Sequence, residues 1–194
     1  MSFSFSDSFF SRLQKLSDDF KEMYIKVKKC DFLFKVDGED IHAHRLILEN
    51  RSPVFAAMLS HDTKENQTGE VSIKDMDVIA LEAILLYLYS GETKVLTSNN
   101  VYRIYAAADR YDIQDVKKMC SKYIIQNLSV ESVCDVIKFA EMHHDEQMGN
   151  SAREYFKDNA DKVLESKNWD TFVKENHNIS VELLASIVKT MYRK

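Results

Sequence analysis

The histidines of this 194-residue chain include two pairs that could bind a metal ion or transfer protons. His42 and His44 are two residues apart, and on a β-strand this spacing would place both imidazoles on one face. A zinc site needs three or four ligands, however, and no cysteine or carboxylate stands at a matching spacing. His143 and His144 are adjacent, and neighbouring side chains on a helix point about 100° apart, which makes a poor chelate. We interpret all four as hydrogen-bonded structural residues.

The three cysteines, Cys30, Cys120 and Cys134, are odd in number and far apart in the sequence. They fit neither a disulfide framework nor a CxxC zinc motif, and we interpret them as reduced thiols of a nuclear or cytoplasmic protein. The motifs GxGxxG, GxxxxGK[ST], GxSxG and HExxH are all absent from the sequence. We therefore predict a protein that is not an enzyme and that uses no cofactor.

The overall composition narrows the choice of partners and of fold class. A net charge of −5 argues against nucleic acid as a partner, because nucleic-acid-binding surfaces are usually basic. The sequence contains no apolar run of membrane-spanning length, and its N-terminus does not have the pattern of a secretory signal. Four glycines and one proline are too few for a turn-rich β-protein, so we expect a mostly helical chain.

The first part of the chain alternates between helix and strand signals. Apolar residues at helical spacing predict a helix over residues 11–27, after a flexible start. The Asp-Gly pair at 37–38 predicts a two-residue hairpin turn between the strands FLFKV and EDIHA, because both turn positions need positive φ. The Ser-Pro pair at 52–53 predicts the start of a helix, since serine caps helices and proline suits their first position.

Further along, the polar segment 61–70 predicts a loop, and the stretch VSIK that follows predicts a short strand. Residues 77–90 are apolar almost all round, which is typical of a buried helix, and Gly91 is expected to end it. Asn127 or Ser129 is expected to cap the first C-terminal helix. Other helices are predicted at about 44–50, 99–110, 113–125, 146–158, 159–173 and 180–192. The fold class is therefore α+β with a small sheet, followed by an all-helical extension that packs on it.

An apolar stripe on the first predicted helix needs a separate explanation. It contains Leu16, Phe20 and Met23, and on most amphipathic helices such a stripe packs on the chain's own core. This helix, however, precedes the hairpin-led unit, which already has its own apolar central helix. An exposed stripe of this size would promote aggregation unless it paired with a partner or with a copy of itself.

Residues 31–125 resemble a BTB/POZ domain. The resemblance rests on Asp31, on the hairpin at 37–38 and on the stretches IHAHRLIL, RSPVFAAML, LLYLYSGE and AAADRYDI. Residues 127–192, beginning NLSVESVCDVIKFAEMH, resemble the 3-box and shortened BACK region of the speckle-type POZ protein group. The resemblance implies three parts: a flexible N-terminus at 1–11, a BTB/POZ domain with its dimerisation helix at 12–126, and a helical 3-box/BACK-like extension at 127–194.

Proteins of this group are non-enzymatic adaptors that homodimerise through apolar positions on the first helix and on the helix after the hairpin. In this sequence the positions implied by the resemblance are Leu16, Phe20, Met23 and Ile47. Asp31 and Arg45 match a charged pair near the centre of many such dimers. A buried pair of this kind would fix the register of the dimer more than it would stabilise it.

The resemblance also implies binding to the N-terminal region of cullin-3, which places a client protein near a ubiquitin ligase for ubiquitination and proteasomal degradation. The group often has a hydrophobic-x-Glu motif in the loop after the FAAM helix. Here Thr63, Lys64 and Glu65 align with it, so the glutamate is present but threonine stands at the hydrophobic position. Lack of an anchor of Met or Leu size would cost on the order of 1–3 kcal/mol, or about ten- to a hundredfold in affinity.

Speckle-type proteins also carry an N-terminal MATH domain that holds the client, and this sequence has no room for one before its first helix. We expect that the sequence is part of a longer protein, that another surface holds the client, or that the chain pairs with a MATH-bearing relative. The alternative hypothesis is a BTB module that forms homodimers or heterodimers in transcription or assembly without recruiting cullin-3.

Overall fold

The computed structural model describes residues 5–60 and 63–191, and the side chains of 8–60 and 63–189. The chain divides into two compact units, Met1–Cys120 and Ser121–Lys194. The elements of the first unit are α1 (Phe5–Ile25), β1 (Phe32–Val36), β2 (Glu39–Ala43), α2 (Arg45–Arg51), α3 (Pro53–Met58), α4 (Lys64–Thr68), β3 (Glu70–Ile73), α5 (Val78–Ser90) and α6 (Val101–Arg110). A further helix, α7 (Gln114–Gln126), runs through the boundary, and the second unit continues with α8 (Val133–Met142), α9 (Glu146–Asp158), α10 (Ala160–Leu164), α11 (Lys167–Glu175) and α12 (His177–Met191).

The sheet of the first unit has three strands in the order β2-β1-β3. β1 and β2 form the predicted antiparallel hairpin, and Asp37 and Gly38 at its turn have φ values of 51° and 84°. β3 pairs with β1 in parallel, with Leu33 opposite Glu70. A small sheet among many helices confirms the predicted α+β fold class.

The core of the first unit contains residues of the sheet, of α3 and of α5, and β1 meets α3 through the rings of Phe34 and Phe55. Phe34 of β1 and Phe55 of α3 are fully buried, and the Phe55 ring stacks on Tyr111 with centroids 4.2 Å apart. The predicted central helix is confirmed as α5, most of whose apolar residues are buried, and Gly91 ends it with a φ of 75°. Apolar burial of this extent is the main stabilising contribution to such a fold.

Ser52 is a buried polar residue at the start of α3. Its Oγ accepts a hydrogen bond from the backbone N–H of Phe55 at 3.2 Å and donates one to the carbonyl oxygen of Tyr111 at 2.6 Å. Pro53 occupies the first helical position, as the sequence predicts. One hydroxyl therefore both caps a helix and satisfies a carbonyl group 59 residues away.

Two predictions about the first unit are wrong. The segment 61–70 is not a loop throughout, because Thr63 caps the short helix α4 and Gly69 ends it in the left-handed conformation. Residues 61–62 of that segment lie outside the described part of the chain. The first helix also begins earlier than predicted, at Phe5, and it ends at Ile25. The first four residues of the predicted flexible start are outside the described residues as well.

The C-terminal predictions need three further corrections. Helix α8 begins at Val133 and not directly after Asn127 or Ser129, because Ser129 instead caps the turn before it, where its Oγ accepts the N–H of Ser132 and its own N–H donates to Ser132 Oγ. The predicted helix 159–173 is two helices, since Ser166 interrupts it and caps α11 through the N–H of Trp169. The last predicted helix starts three residues early, at His177, and residue 192 of its predicted range lies outside the described part.

The second unit has an aromatic core of its own. The ring of Trp169 lies 5.4 Å from that of Phe156 and 6.0 Å from that of Phe172, measured between centroids. Cys134 is also buried there, and burial raises its pKa to about 12, as it does for Cys120. Both cysteines are therefore protonated, free thiols near neutral pH.

Within residues 5–60 and 63–191, none of the helices combines the length and the apolar character that a bilayer crossing requires.

Replacing Ser52 by alanine should lower the free energy of unfolding by about 2–3 kcal/mol, because α3 loses its cap and the buried carbonyl of Tyr111 loses its donor. Urea unfolding followed by circular dichroism measures the effect. Ser98→Ala, at an exposed position, is the matched control and should change stability by less than about 0.5 kcal/mol. Equal stability of the two variants would contradict the role given to Ser52.

Candidate functional site

Of the histidines and cysteines singled out in the sequence, His44 and Cys30 lie in a hydrogen-bonded cluster. His44 precedes α2, with its Nδ1 2.7 Å from the Tyr89 hydroxyl and its Nε2 2.6 Å from the carbonyl oxygen of Lys28. Because a carbonyl only accepts, Nε2 carries the proton. Cys30 Sγ is 3.9 Å from the same imidazole, and burial is the main cause that raises the pKa of this thiol. His42 is exposed on β2.

The other histidine pair lies at the end of α8, where His143 ends the helix and His144 adopts a φ of 52° in the turn that follows. Among the residues that the structure describes, no cluster of three or more histidine, cysteine, aspartate or glutamate side chains could hold a metal ion.

Helix α1 packs along one side against the rest of the first unit. The contacts are a hydrogen bond from Ser17 Oγ to the carbonyl oxygen of Ser90 (2.7 Å), an ion pair between Lys21 and Glu92 (2.5 Å), and a stack of the Tyr24 and Tyr89 rings (4.9 Å between centroids). Burial raises the pKa of both tyrosines above the usual range for a phenol, so both stay neutral.

The apolar stripe of α1 lies beside this line of contacts and is largely exposed. The exposed fractions are 48% for Phe9, 46% for Leu13, 52% for Leu16 and 37% for Phe20, and Met23 is half-buried. These five residues alternate spacings of four and three, which is the repeat of a helix that packs lengthwise against another helix. The predicted stripe is therefore present and is not used by the core of the first unit.

A groove of about 480 Å³ lies between α1, α2 and the end of α5. Leu13, Leu16 and Phe20 line one wall, and Leu46 and Ile47 of α2 line another. Leu46 is 70% exposed, whereas Leu48, two residues later, is fully buried in the core. Thus α2 is anchored in the core by Leu48 and presents two apolar side chains, Leu46 and Ile47, to the groove.

Asp31 and Arg45 are close in the single chain, but each side chain bonds the backbone of the other residue, and no ion pair joins the two side chains among the described contacts. The Asp31 carboxylate accepts the backbone N–H of Arg45 at 2.8 Å, at the start of α2. The Arg45 guanidinium donates to the side-chain and main-chain oxygens of Asn66 in α4, and it lies over the Phe32 ring. Their predicted place at the centre of a dimer stays a prediction.

Thr63, Lys64 and Glu65 form the start of α4. Thr63 Oγ1 accepts the N–H of Asn66 at 3.3 Å and donates to the carbonyl oxygen of Ser60 at 2.9 Å. Lys64 is exposed. In the described part of the chain, no hydrogen bond or ion pair engages the Glu65 carboxylate. The segment therefore presents two charged groups, Lys64 and Glu65, from a helix rather than from a loop.

Sequence reasoning missed Phe9, Leu46 and Asn66. The signal for Phe9 was its spacing of four before Leu13, but it fell in a stretch that we expected to be flexible. Leu46 and Ile47 are adjacent in a short helix, and the sequence does not indicate how far each is exposed. Nothing local marks Asn66 as the partner of an arginine 21 residues away.

Comparison with known proteins gives a family for this architecture. A sequence model of the BTB/POZ domain matches residues 20–128, which are 109 of the 194 residues. The solved BTB (Tramtrack and Bric a brac) domain of human gigaxonin is similar, with 25% identity and a TM-score of 0.47, over 63% of this chain and 96% of that one.

Two longer proteins resemble most of this chain. Protein maternal effect lethal 26 of Caenorhabditis elegans is 28% identical over 175 residues, covering 90% of this chain and 44% of that protein. TD and POZ domain-containing protein 2 of Mus musculus is 28% identical over 173 residues, covering 89% of this chain and 48% of that protein. The chain thus spans less than half the length of either relative. Because the family match covers more than half of its residues, the chain belongs to the BTB/POZ domain family.

Proposed function

We propose that this chain is a dimeric adaptor that pairs through the α1–α2 groove and recruits cullin-3 through the start of α4. A BTB/POZ domain is a protein-interaction fold, and such folds are generally not enzymes. The observation that carries the proposal is the exposed apolar stripe of α1 beside the groove, since a surface of this kind needs a partner.

A second copy of the chain is the occupant that best fits the groove. The four-three spacing of the stripe suits packing against another helix, and Leu46 and Ile47 would enlarge the contact. Full burial of a side chain such as Leu16 or Phe20 contributes about 1.5–3 kcal/mol. Several such side chains together would offset the entropy that association costs. Asp31, Arg45 and Met23 belong to this proposal through the family resemblance, and a related BTB protein could replace the second copy.

Recruitment of cullin-3 is the second part of the proposal. Glu65 supports it, because this glutamate of the hydrophobic-x-Glu motif has an unengaged carboxylate among the described residues. Thr63 counts against high affinity, because its hydroxyl is used as the cap of α4 and it offers only one methyl group as an anchor. We propose that cullin-3 binding is retained at reduced affinity and leads to ubiquitination of a bound client.

A BTB module without a ligase is the alternative that Thr63 favours. At the position where the motif has an apolar anchor, this chain has a residue that stabilises its own helix. Such a protein would form homodimers or heterodimers in transcription or assembly. The two proposals share the groove and differ only in what binds α4.

The helices of the second unit are the proposed 3-box and BACK-like extension, within the predicted range 127–194. Support comes from the relatives, whose similarity extends over 173 and 175 residues and so well past residue 128. We also propose a location in the nucleus or the cytoplasm, and the three free thiols support it.

The double variant Leu16→Asp with Phe20→Asp should be monomeric, because it puts two charges into the apolar groove. Light scattering after size exclusion measures this, with the unchanged chain expected at twice its mass of 22.6 kDa. Ile25→Asp is the matched control, since Ile25 is an exposed apolar residue of α1 that does not line the groove. A double variant that stays dimeric, with its circular dichroism unchanged, would show that the groove is not the interface.

Cullin-3 recruitment is tested by titrating the N-terminal region of cullin-3 with the wild type and with Thr63→Ala and Thr63→Met. Both substitutions remove the cap of α4, at about 1 kcal/mol, but only methionine adds an anchor. Thr63→Met should therefore bind about tenfold more tightly than Thr63→Ala, and comparison of these two variants separates the anchor from the cap.

Thr63→Ser keeps the hydroxyl and should bind like the wild type, whereas Glu65→Gln should bind more weakly because it loses the carboxylate charge. Equal affinities of the methionine and alanine variants would remove Thr63 from the docking motif. If no variant binds at about 50 μM, which corresponds to roughly −6 kcal/mol, the adaptor proposal fails and the ligase-independent module remains.

A further inference from the structure

Helix α4 has little to hold it in place on its own. It has five residues, and none of its side chains is buried. Isolated helices of this length are not stable in water, because too few hydrogen bonds compensate the entropy of nucleation. Its position therefore depends on contacts made at its ends and on the side chains that reach it from elsewhere.

Arg45 reaches α4 with its side chain from 21 residues away in the sequence. Its Nη1 donates to the side-chain oxygen of Asn66 and its Nη2 donates to the main-chain oxygen of the same residue at 2.8 Å. Its Nε donates to the carbonyl oxygen of Asp31 at 3.3 Å, just before β1. One planar guanidinium thus joins the middle of α4 to the start of the sheet, and its fork geometry allows both bonds to Asn66 at once.

Gly69 completes the attachment at the other end of α4. Its φ of 73° ends the helix, and its carbonyl oxygen accepts the N–H of Leu33 in β1 at 2.9 Å. A Cβ atom on Gly69 would lie 3.3 Å from Nη2 of Arg45, closer than most such contacts. The glycine is therefore needed both for the turn and for the close approach of the guanidinium.

We propose that Arg45 is a positioning residue for α4: by holding Asn66 against the start of β1, it orders the helix that presents Thr63 and Glu65. This is a role within one chain, additional to any contact of Arg45 across a dimer. Its consequence for binding rests on the proposed recruitment of cullin-3, whereas its consequence for the order of α4 does not.

Hydrogen exchange of the amides of residues 64–69 tests the order of α4 directly. The N–H groups of Gln67 and Gly69 are suitable reporters, since they donate within the α4 turn to Thr63 and Glu65. Arg45→Lys keeps the charge but cannot donate to both oxygens of Asn66, so exchange in this segment should rise by about tenfold.

Arg103→Lys is the matched control. Arg103 also bridges two residues, donating to Asp77 at 2.5 Å and to the carbonyl oxygen of Asn99 at 2.6 Å, but neither acceptor belongs to α4. Its substitution should leave exchange in 64–69 unchanged. Asn66→Asp is then made in the wild type and in Arg45→Lys. The gain in amide protection of residues 64–69 should be larger in Arg45→Lys, because in that background the new carboxylate replaces a contact that has been lost.

Hydrogen exchange of residues 64–69 tests the positioning role of Arg45, and cullin-3 binding tests the proposed function independently. If the wild type binds cullin-3, Arg45→Lys should bind about tenfold more weakly with α4 less protected. Unchanged exchange of 64–69 in Arg45→Lys would overturn the positioning role, whether or not cullin-3 binds. Loss of the dimer without any change in α4 exchange would also overturn it, and would assign Arg45 to the dimer interface alone.

Discussion

The groove of the first unit depends on the hydroxyl and ring of Tyr89, on the central helix α5. The hydroxyl accepts the backbone N–H of His44 at 2.8 Å and lies 2.7 Å from its Nδ1, and the ring stacks on Tyr24 of α1. His44 in turn holds the carbonyl group of Lys28, in the turn after α1. One side chain of the core therefore fixes the start of α2 and the end of α1, the two helices that form the groove.

This mode of attachment explains why the apolar stripe of α1 remains available. A hydrogen bond, an ion pair and a ring stack hold the helix on one side, so few of its apolar side chains are needed for docking on its own unit. Two partly exposed charges such as Lys21 and Glu92 contribute little to stability, which leaves most of the attachment to the tyrosines. A helix can thus be firmly placed and still keep its most hydrophobic face for a partner.

Strong local signals allowed much of the fold to be predicted from the sequence. The hairpin at 37–38, the capped start of α3 and the apolar helix α5 follow from rules that act within a few residues. Helix α4 was not predicted, although Thr63 and Gly69 are local signals for its two ends, because the segment is short and polar; the contact of Asn66 with Arg45, which is distant in sequence, has no local signal at all. The break at Ser166 inside a predicted helix was missed because the flanking apolar pattern continues across it.

The candidate site was predictable to a similar extent. Periodicity identified Leu16 and Phe20 as one stripe, and the structure adds that the stripe is exposed and lines a groove. The exposure of Leu46 depends on how α2 is rotated about its axis, and that rotation is set by the burial of Leu48 and by the bonds of His44. No pattern in seven residues specifies such a rotation.

The absence of buried side chains in the described helix α4 has a consequence for how this protein can change over evolution. Substitutions at its outward positions leave the core untouched, so they escape the stability threshold that removes most mutations. A substitution that changes only an outward side chain of α4 can therefore alter what this surface binds without unfolding the domain. Position 63 is different, because the Thr63 hydroxyl caps α4, so a change there alters both the surface and the stability of the helix that carries it.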